Sequence, residues 1–148
     1  SMDADIVLPN GDHTPVEMGS HGIGVSRLVG ALIEANHDDL GIIWPSSVAP
    51  FDSVIINLKQ GDQESEQVCK KLYEELVSAG FDILYDDRDE RVGVKFATMD
   101  LIGIPWQIIV GPRDLAEGFL ELKSRKDGLR KRIATNEGFS QLLNELKS

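Results

Sequence analysis

The chain has 148 residues, of which 41% are hydrophobic and 27% charged, enough to bury a core and too apolar for an intrinsically disordered segment. No run reaches the roughly eighteen apolar residues of a membrane helix, and no basic-then-apolar leader opens it. A lone cysteine, Cys69, excludes a disulfide framework and fits a reducing compartment, so a soluble cytoplasmic protein with no membrane partner is expected. Ser1-Met2 reads as a cloning remnant before an internal start point.

In chain order, residues 5–8, Asn10-Gly11 and 14–18 predict a β-hairpin, because Asn-Gly supplies the positive φ angles of a tight turn. Val25, Leu28, Val29, Leu32 and Ile33 then share one face of a helix that ends at His37-Asp38-Asp39. Pro45, Ser46, Ser47 and Pro50 break residues 37–52 into an extended crossing between two structural units. Beyond it, Ser53–Leu58 is an apolar strand of the buried kind, and Asp62 caps a helix over 63–79 stopped by Gly80. Phe81–Tyr85 is a strand, residues 86–91 a charged loop, and 94–102 a short helix ended by Gly103 and Pro105. Strands at 106–110, 119–122 and 129–133 follow, the last two joined at Lys126-Asp127-Gly128, and Asn136 caps a final helix. The order β-α-β-α-β-β-β-α predicts an α/β fold in which a mixed sheet of five strands is flanked by three helices.

The net charge of −10 is unevenly spread. Residues 1–87 hold four Lys/Arg against sixteen Asp/Glu, whereas residues 88–132 hold ten against seven. An acidic body with one basic segment can bind a polyanion locally without binding polyanions everywhere. A solvated surface hairpin would give the same balance.

Two stretches carry candidate chemistry. Gly19, Gly22 and Gly24 remove side chains where a strand runs into a helix, so a ligand could lie on bare backbone near amides that favour anions. GSHGIG is neither the dinucleotide fingerprint nor a phosphate loop, and a packing turn would use the same glycines. Arg27 sits near the helix start, where the dipole disfavours a cation. Either an anionic ligand or a salt bridge to Glu17 or Glu34 would account for it. In the basic stretch, Arg88, Arg91 and Lys95 lie before and on one helix, while Lys123, Arg125 and Lys126 lie on a hairpin that could curl to the same side. Forked arginines can read guanine edges, lysines can neutralise phosphate, and Phe51, Phe96 and Trp106 offer faces for stacking or for the core. Asp86-Asp87 could suggest magnesium, but the adjacent Arg88 and Arg91 favour an internally paired loop. His13, His21 and His37 lack zinc-ligand spacing, no nucleophile elbow occurs, and neither a metal site nor a catalytic residue is assigned.

The stretch MGSHGIGVSRLVGALIEANHDDLGIIWPSSVAPF resembles motif 3 and the following linker of class II aminoacyl-tRNA synthetases, in the prolyl-tRNA synthetase family. DDRDERVGVKFATMDLIGIPWQIIVGPR resembles the anticodon-binding domain shared by the proline, threonine, histidine and glycine enzymes. IPWQIIVGPR and LAEG are closest to the short form found in α-proteobacteria and related lineages. This resemblance implies that residues 1–45 are the C-terminal end of a catalytic domain and that residues 46–148 are an anticodon-binding domain. It also implies that Arg27 grips ATP phosphates above Gly22 and Gly24. Arg88 and Lys95, then Arg91, Asp100, Lys123 and Arg125, become the candidates for recognising the guanines of a proline anticodon. Many relatives carry tyrosine where this chain has His21, so no stacking role carries over to that position.

The family joins proline to its tRNA through prolyl-adenylate, using ATP with Mg²⁺, as a homodimer. Motifs 1 and 2 would precede residue 1. The chain alone is therefore expected to be inactive and monomeric, to hold no cofactor, and to bind tRNA chiefly through its anticodon. The alternative is a stand-alone RNA-binding accessory module of the same fold without ligase activity. A sister synthetase for threonine, histidine or glycine, or a small redox or phosphoryl-transfer protein, fits the residues less well.

Overall fold

The computed structural model describes residues 4–136 and 138–146, so Ser1-Met2 lies outside the described residues. Strands β1 (Asp5–Val7) and β2 (His13–Pro15) pair antiparallel, with Val7 opposite His13. Gly11 adopts the left-handed conformation anticipated for the turn, at φ 88°. The second strand stops at Pro15 rather than running to Met18: the last bond joins the Val16 amide to the Ala4 carbonyl, and Pro15 has no amide to donate.

Helix α1 (Val25–Ala35) follows the glycine-rich stretch. It buries none of its residues, and Met18, Ile23, Val25, Leu28 and Val29 all present large exposed apolar side chains.

Residues 37–52 are more ordered than their composition suggests. Strands β3 (His37–Asp38) and β4 (Gly41–Ile42) form a miniature hairpin. The Asp38 carboxylate makes it by accepting from the Leu40 and Gly41 amides at 2.9 and 3.1 Å, an Asx-type turn that periodicity cannot reveal. One 3-10 turn, Ser46–Val48, completes the crossing.

Strands β5 (Ser53–Asn57), β6 (Ile83–Asp86), β7 (Trp106–Val110), β8 (Phe119–Ser124) and β9 (Arg130–Ala134) build the main sheet in the order β6-β5-β7-β8-β9. β5 is parallel to both β6 and β7, whereas β8 and β9 add antiparallel. The five-stranded mixed sheet is thus as the order of elements implied. Helix α2 (Gln63–Ser78) starts where the Asp62 carboxylate accepts from the Ser65 amide at 3.1 Å, and Gly80 follows its end at φ 91°. Helix α3 (Val92–Ile102) ends on Gly103, and α5 (Gly138–Leu146) is the last element. The proposed Asn136 cap adjoins residue 137, which lies outside the described residues.

Helix α4 (Pro112–Ala116) was not anticipated, since five residues between Gly111 and Gly118 are too few to show a period. Pro112 at its first turn starts it without wasting an amide. None of the described helices is long and apolar enough to cross a membrane.

The sheet is covered unequally. Ile55, Cys69, Leu76, Ile108, Leu122 and Leu142 belong to the core formed with α2, α4 and α5. Val54, Ile56, Met99, Ile104 and Ile109 form a smaller core on the α3 side. Residues 53–57 feed both, and every one of them is buried, which is why SVIIN reads as continuous rather than alternating. Along β8 only Leu120, Leu122 and Ser124 are buried, so Phe119, Glu121 and Lys123 alternate toward the α3 side. Charged Arg130-Lys131-Arg132 occupies the outer strand, a placement that discourages edge pairing.

Cys69 is fully buried, the packing role its helical position suggested. Burial pushes its thiol up to about 12, against an ordinary 9.0. The folded chain therefore resists thiol-specific reagents, and unfolding in urea should release a single reactive thiol. An acid whose folded value is raised stabilises the fold below its unfolded value, so this contribution declines as pH rises from about 9 toward 12. Alkylation rates measured from pH 7 to 10 check both statements.

Candidate nucleic-acid interface

The sequence candidates fall into three settings rather than onto one exposed face. At the carboxyl ends of β5 and β6, Asp86 points its carboxylate inward and Arg88 clasps it with a fork, Nε to Oδ1 at 2.8 Å and Nη2 to Oδ2 at 2.9 Å. Burial opposes ionisation of Asp86, but the guanidinium beside it outweighs that cost and holds the carboxyl below its usual range. Arg88 itself stays 43% exposed, an arginine braced from behind with free edges facing solvent. Of the two arginines expected to pair within the loop, Arg88 does so.

Lys95, one turn into α3, is not a surface cation. It is 1% exposed, and its ammonium donates to the Asn57 carbonyl at 2.5 Å. The Asn57 Nδ2 beside it is buried without a partner among the described residues. Lys95 thus adds positive potential beneath the Arg88 loop from inside the domain. Arg91, the residue preceding α3, is exposed and makes no ion pair among the described residues.

The second setting lies near the far end of α3. Lys123 donates to both Asp100 oxygens, at 2.7 and 2.9 Å, and the Gln107 amide donates to Asp100 at 2.7 Å. Lys123 also stands 5.9 Å from the centre of the Phe96 ring, with Arg130 at 5.8 Å from the same ring. Arg132 lies 4.5 Å from the Phe119 ring and is paired with Asp114 and Glu117. Composition did not single out Arg130, Arg132 or Phe119. The alternation of FLELKS was the available signal, because it puts Phe119 and Lys123 on one side, opposite Ala134 and Arg130 of β9.

Arg125, which follows β8, makes the third setting. Its side chain is 4% exposed and forks onto Asp38, with Nη1 and Nη2 at 2.8 and 2.6 Å from the carboxylate oxygens. Lys126 beside it is exposed. The aromatic residues Phe51 and Phe96 pack partly against the smaller core, and Trp106 against the larger.

In the N-terminal segment, Gly22 and Gly24 do not have positive φ. A Cβ on Gly22 would meet nothing within 4 Å, so no packing among the described residues asks for glycine there. Arg27 lies in the first turn of α1 with no acidic neighbour in that turn, and it forms no ion pair with Glu17 or Glu34.

A mixed sheet covered unequally on its two faces, with braced and buried cations on its α3 side, defines a small α/β domain. The anticodon binding domain model matches residues 52–145, and the chain belongs to that family. Proline--tRNA ligase of Rhodopseudomonas palustris strain HaA2 is 58% identical over 142 residues, 96% of this chain and 32% of the relative. The Paracoccus denitrificans proline--tRNA ligase is 57% identical over 141 residues, 95% of this chain and 31% of its own length. The chain thus spans about a third of the curated relatives it matches. Prolyl-tRNA synthetase from Cryptosporidium parvum, solved with L-proline and AMP, superposes with a TM-score of 0.73 at 25% identity, covering 82% of this chain and 27% of that one.

Proposed function

We propose that this chain is the C-terminal part of a proline--tRNA ligase, residues 1–45 ending its catalytic domain and residues 46–148 reading the tRNA anticodon. The carrying observation is colinear identity with proline--tRNA ligases over 96% of the chain, which takes in the glycine-rich segment as well as the domain. The whole enzyme condenses proline with ATP, acts as a cytoplasmic homodimer and passes the prolyl group to tRNA; the chain by itself is monomeric and inactive. ATP supplies the adenylyl group that activates the amino acid, with Mg²⁺ as its partner ion. Open space over Gly22 and an unpaired Arg27 at a helix N-terminus fit one wall of such a nucleotide site.

Arg88 and Arg91 are the residues that meet RNA directly, and Lys95 acts from below. Lys123 and Asp100 present a donor and an acceptor respectively, with Lys123 beside the Phe96 ring. Titrating an anticodon stem-loop carrying the proline guanines tests this reading by fluorescence anisotropy. Each guanine replaced should cost about tenfold in affinity. Log affinity should fall linearly with log salt, with a slope of about 0.7 for each phosphate contacted. Equal binding of the guanine-free stem-loop would refute anticodon recognition.

A further inference from the structure

We propose that Arg125 is a positioning residue that fixes the segment carrying Arg27 onto the anticodon-binding domain, and that it makes no contact with RNA. The part of this inference that concerns catalysis rests on the ligase reading above; the part that concerns the junction rests on geometry alone.

Arg125 directly follows strand β8, and all three of its guanidinium nitrogens donate inside the molecule. Nη1 and Nη2 hold Asp38 of the miniature hairpin, and Nε donates to the Asp100 carbonyl at 3.0 Å. One planar fork thus joins three pieces of chain: the hairpin after α1, the last turn of α3 and the end of β8. Asp38 is held well below the usual carboxylate range, first by its hydrogen bonds from Arg125, so the pair is charged at neutral pH. The carbonyls at the end of α3 would otherwise lack partners. Arg125 takes the one on Asp100, and the Trp44 indole takes the one on Ile102 at 2.9 Å. A cation at that end also complements the helix dipole.

Backbone contact makes the seam tight on one side. A Cβ on Gly41 would lie 2.4 Å from the Leu101 Cα, and one on Gly103 would lie 2.1 Å from the Ile42 carbonyl oxygen. The other side is open: a cleft of about 420 Å³, with Trp44, Pro45, Trp106 and Lys126 among its walls, borders Arg125. The backbone seam and the fork therefore hold the hairpin together, the fork on the side that the cleft leaves open. Asp100 connects this tie to the RNA-facing side. Its carbonyl accepts from Arg125 while its carboxylate holds Lys123, so one residue serves the two settings through different atoms.

Amide hydrogen exchange of the 148-residue chain tests the tie without RNA. Arg125→Gln should speed exchange at residues 40–44 by about tenfold or more, with the amides of β5 and β7 unchanged. Arg125→Lys, which cannot bridge Asp38 and the Asp100 carbonyl together, should fall between the two. Asp38→Asn breaks the same pair from the exposed side while keeping an oxygen for the turn, and should speed exchange at 40–44 by a similar factor, so it decides the matter where Arg125→Gln folds poorly. Affinity for the anticodon stem-loop should stay within about twofold of the parent. In the longer ligase, Arg125→Gln should lower kcat for aminoacylation while KM for tRNA and proline-dependent adenylate formation hold steady. Unchanged exchange at 40–44, or a loss of RNA affinity as large as that of an Arg88 variant, overturns the proposal. A longer chain without proline-dependent activity would instead refute the ligase reading, and the exchange measurements would still decide the tie.

Discussion

Arg88→Lys should weaken binding of a proline-anticodon stem-loop by about tenfold or more and erase most of its preference for guanine, with little change in fold. Lysine keeps the positive charge over Asp86 but loses the planar fork. One edge of the arginine is already committed to Asp86 through Nε and Nη2, which leaves the remaining edge aimed by that brace. Preorganisation of this kind is what a bidentate reader of a base edge needs, because the ordering cost is met before RNA arrives. The flexible ammonium of lysine offers no second parallel donor.

Alanine is the wrong probe at this position. It would strand a buried carboxylate, whose depressed folded value depends on Arg88, and would lower stability and binding together. The sign is definite: a carboxyl lowered by folding stabilises above its unfolded value, and that stabilisation is lost as pH falls through the folded one. Arg88→Ala paired with Asp86→Asn removes the charge problem, and this double variant should lose RNA affinity while melting close to the parent. If Arg88→Lys keeps full guanine preference, the base reader lies elsewhere on the α3 side.

Gly103→Ala should destabilise the chain by about 3–5 kcal/mol, whereas Gly80→Ala should cost about 1 kcal/mol. Both glycines end a helix in left-handed geometry, at φ 82° and φ 91°. Conformational strain from an added Cβ is therefore nearly the same at the two sites. They differ in what that Cβ meets: open space at Gly80, but the carbonyl oxygen, carbonyl carbon and side chain of Ile42 within 3 Å at Gly103. Backbone cannot swing aside as a long side chain can, so Gly103→Ala must lift the hairpin from α3 or shift the helix end. Urea unfolding of the two variants measures the difference, which isolates the hairpin contact from the strain. Equal losses would mean that the hairpin yields freely.

Much of the fold was legible because it rests on local rules. Asp62 capping α2, Gly80 and Gly103 ending helices, and the buried SVIIN strand all follow from a residue and its near neighbours. The lapses have local causes as well. Helix α4 was too short to show a period, and the hairpin at 37–42 is made by a side-chain turn rather than by hydrophobic alternation. The site was legible only as a set of residue types. Arg88 and Asp86 pair two residues apart, and the flanking charges already suggested that pairing. Lys95 meets Asn57 across 38 residues, Lys123 meets Asp100 across 23, and Arg125 meets Asp38 across 87.

What the amino-acid sequence determined by itself was the succession of strands and helices, the place of the basic segment and the likeness to a synthetase family. These depend on periodicity, turn chemistry and motif order, which are written along the chain. Which of its cations face solvent, which are braced and which are spent holding the molecule together was decided by tertiary structure alone. A buried charge must find its partner wherever sheet register and helix packing bring one. Lys95 and Arg125 are buried on partners inside the molecule, whereas Arg88, Arg91 and Lys126 remain exposed.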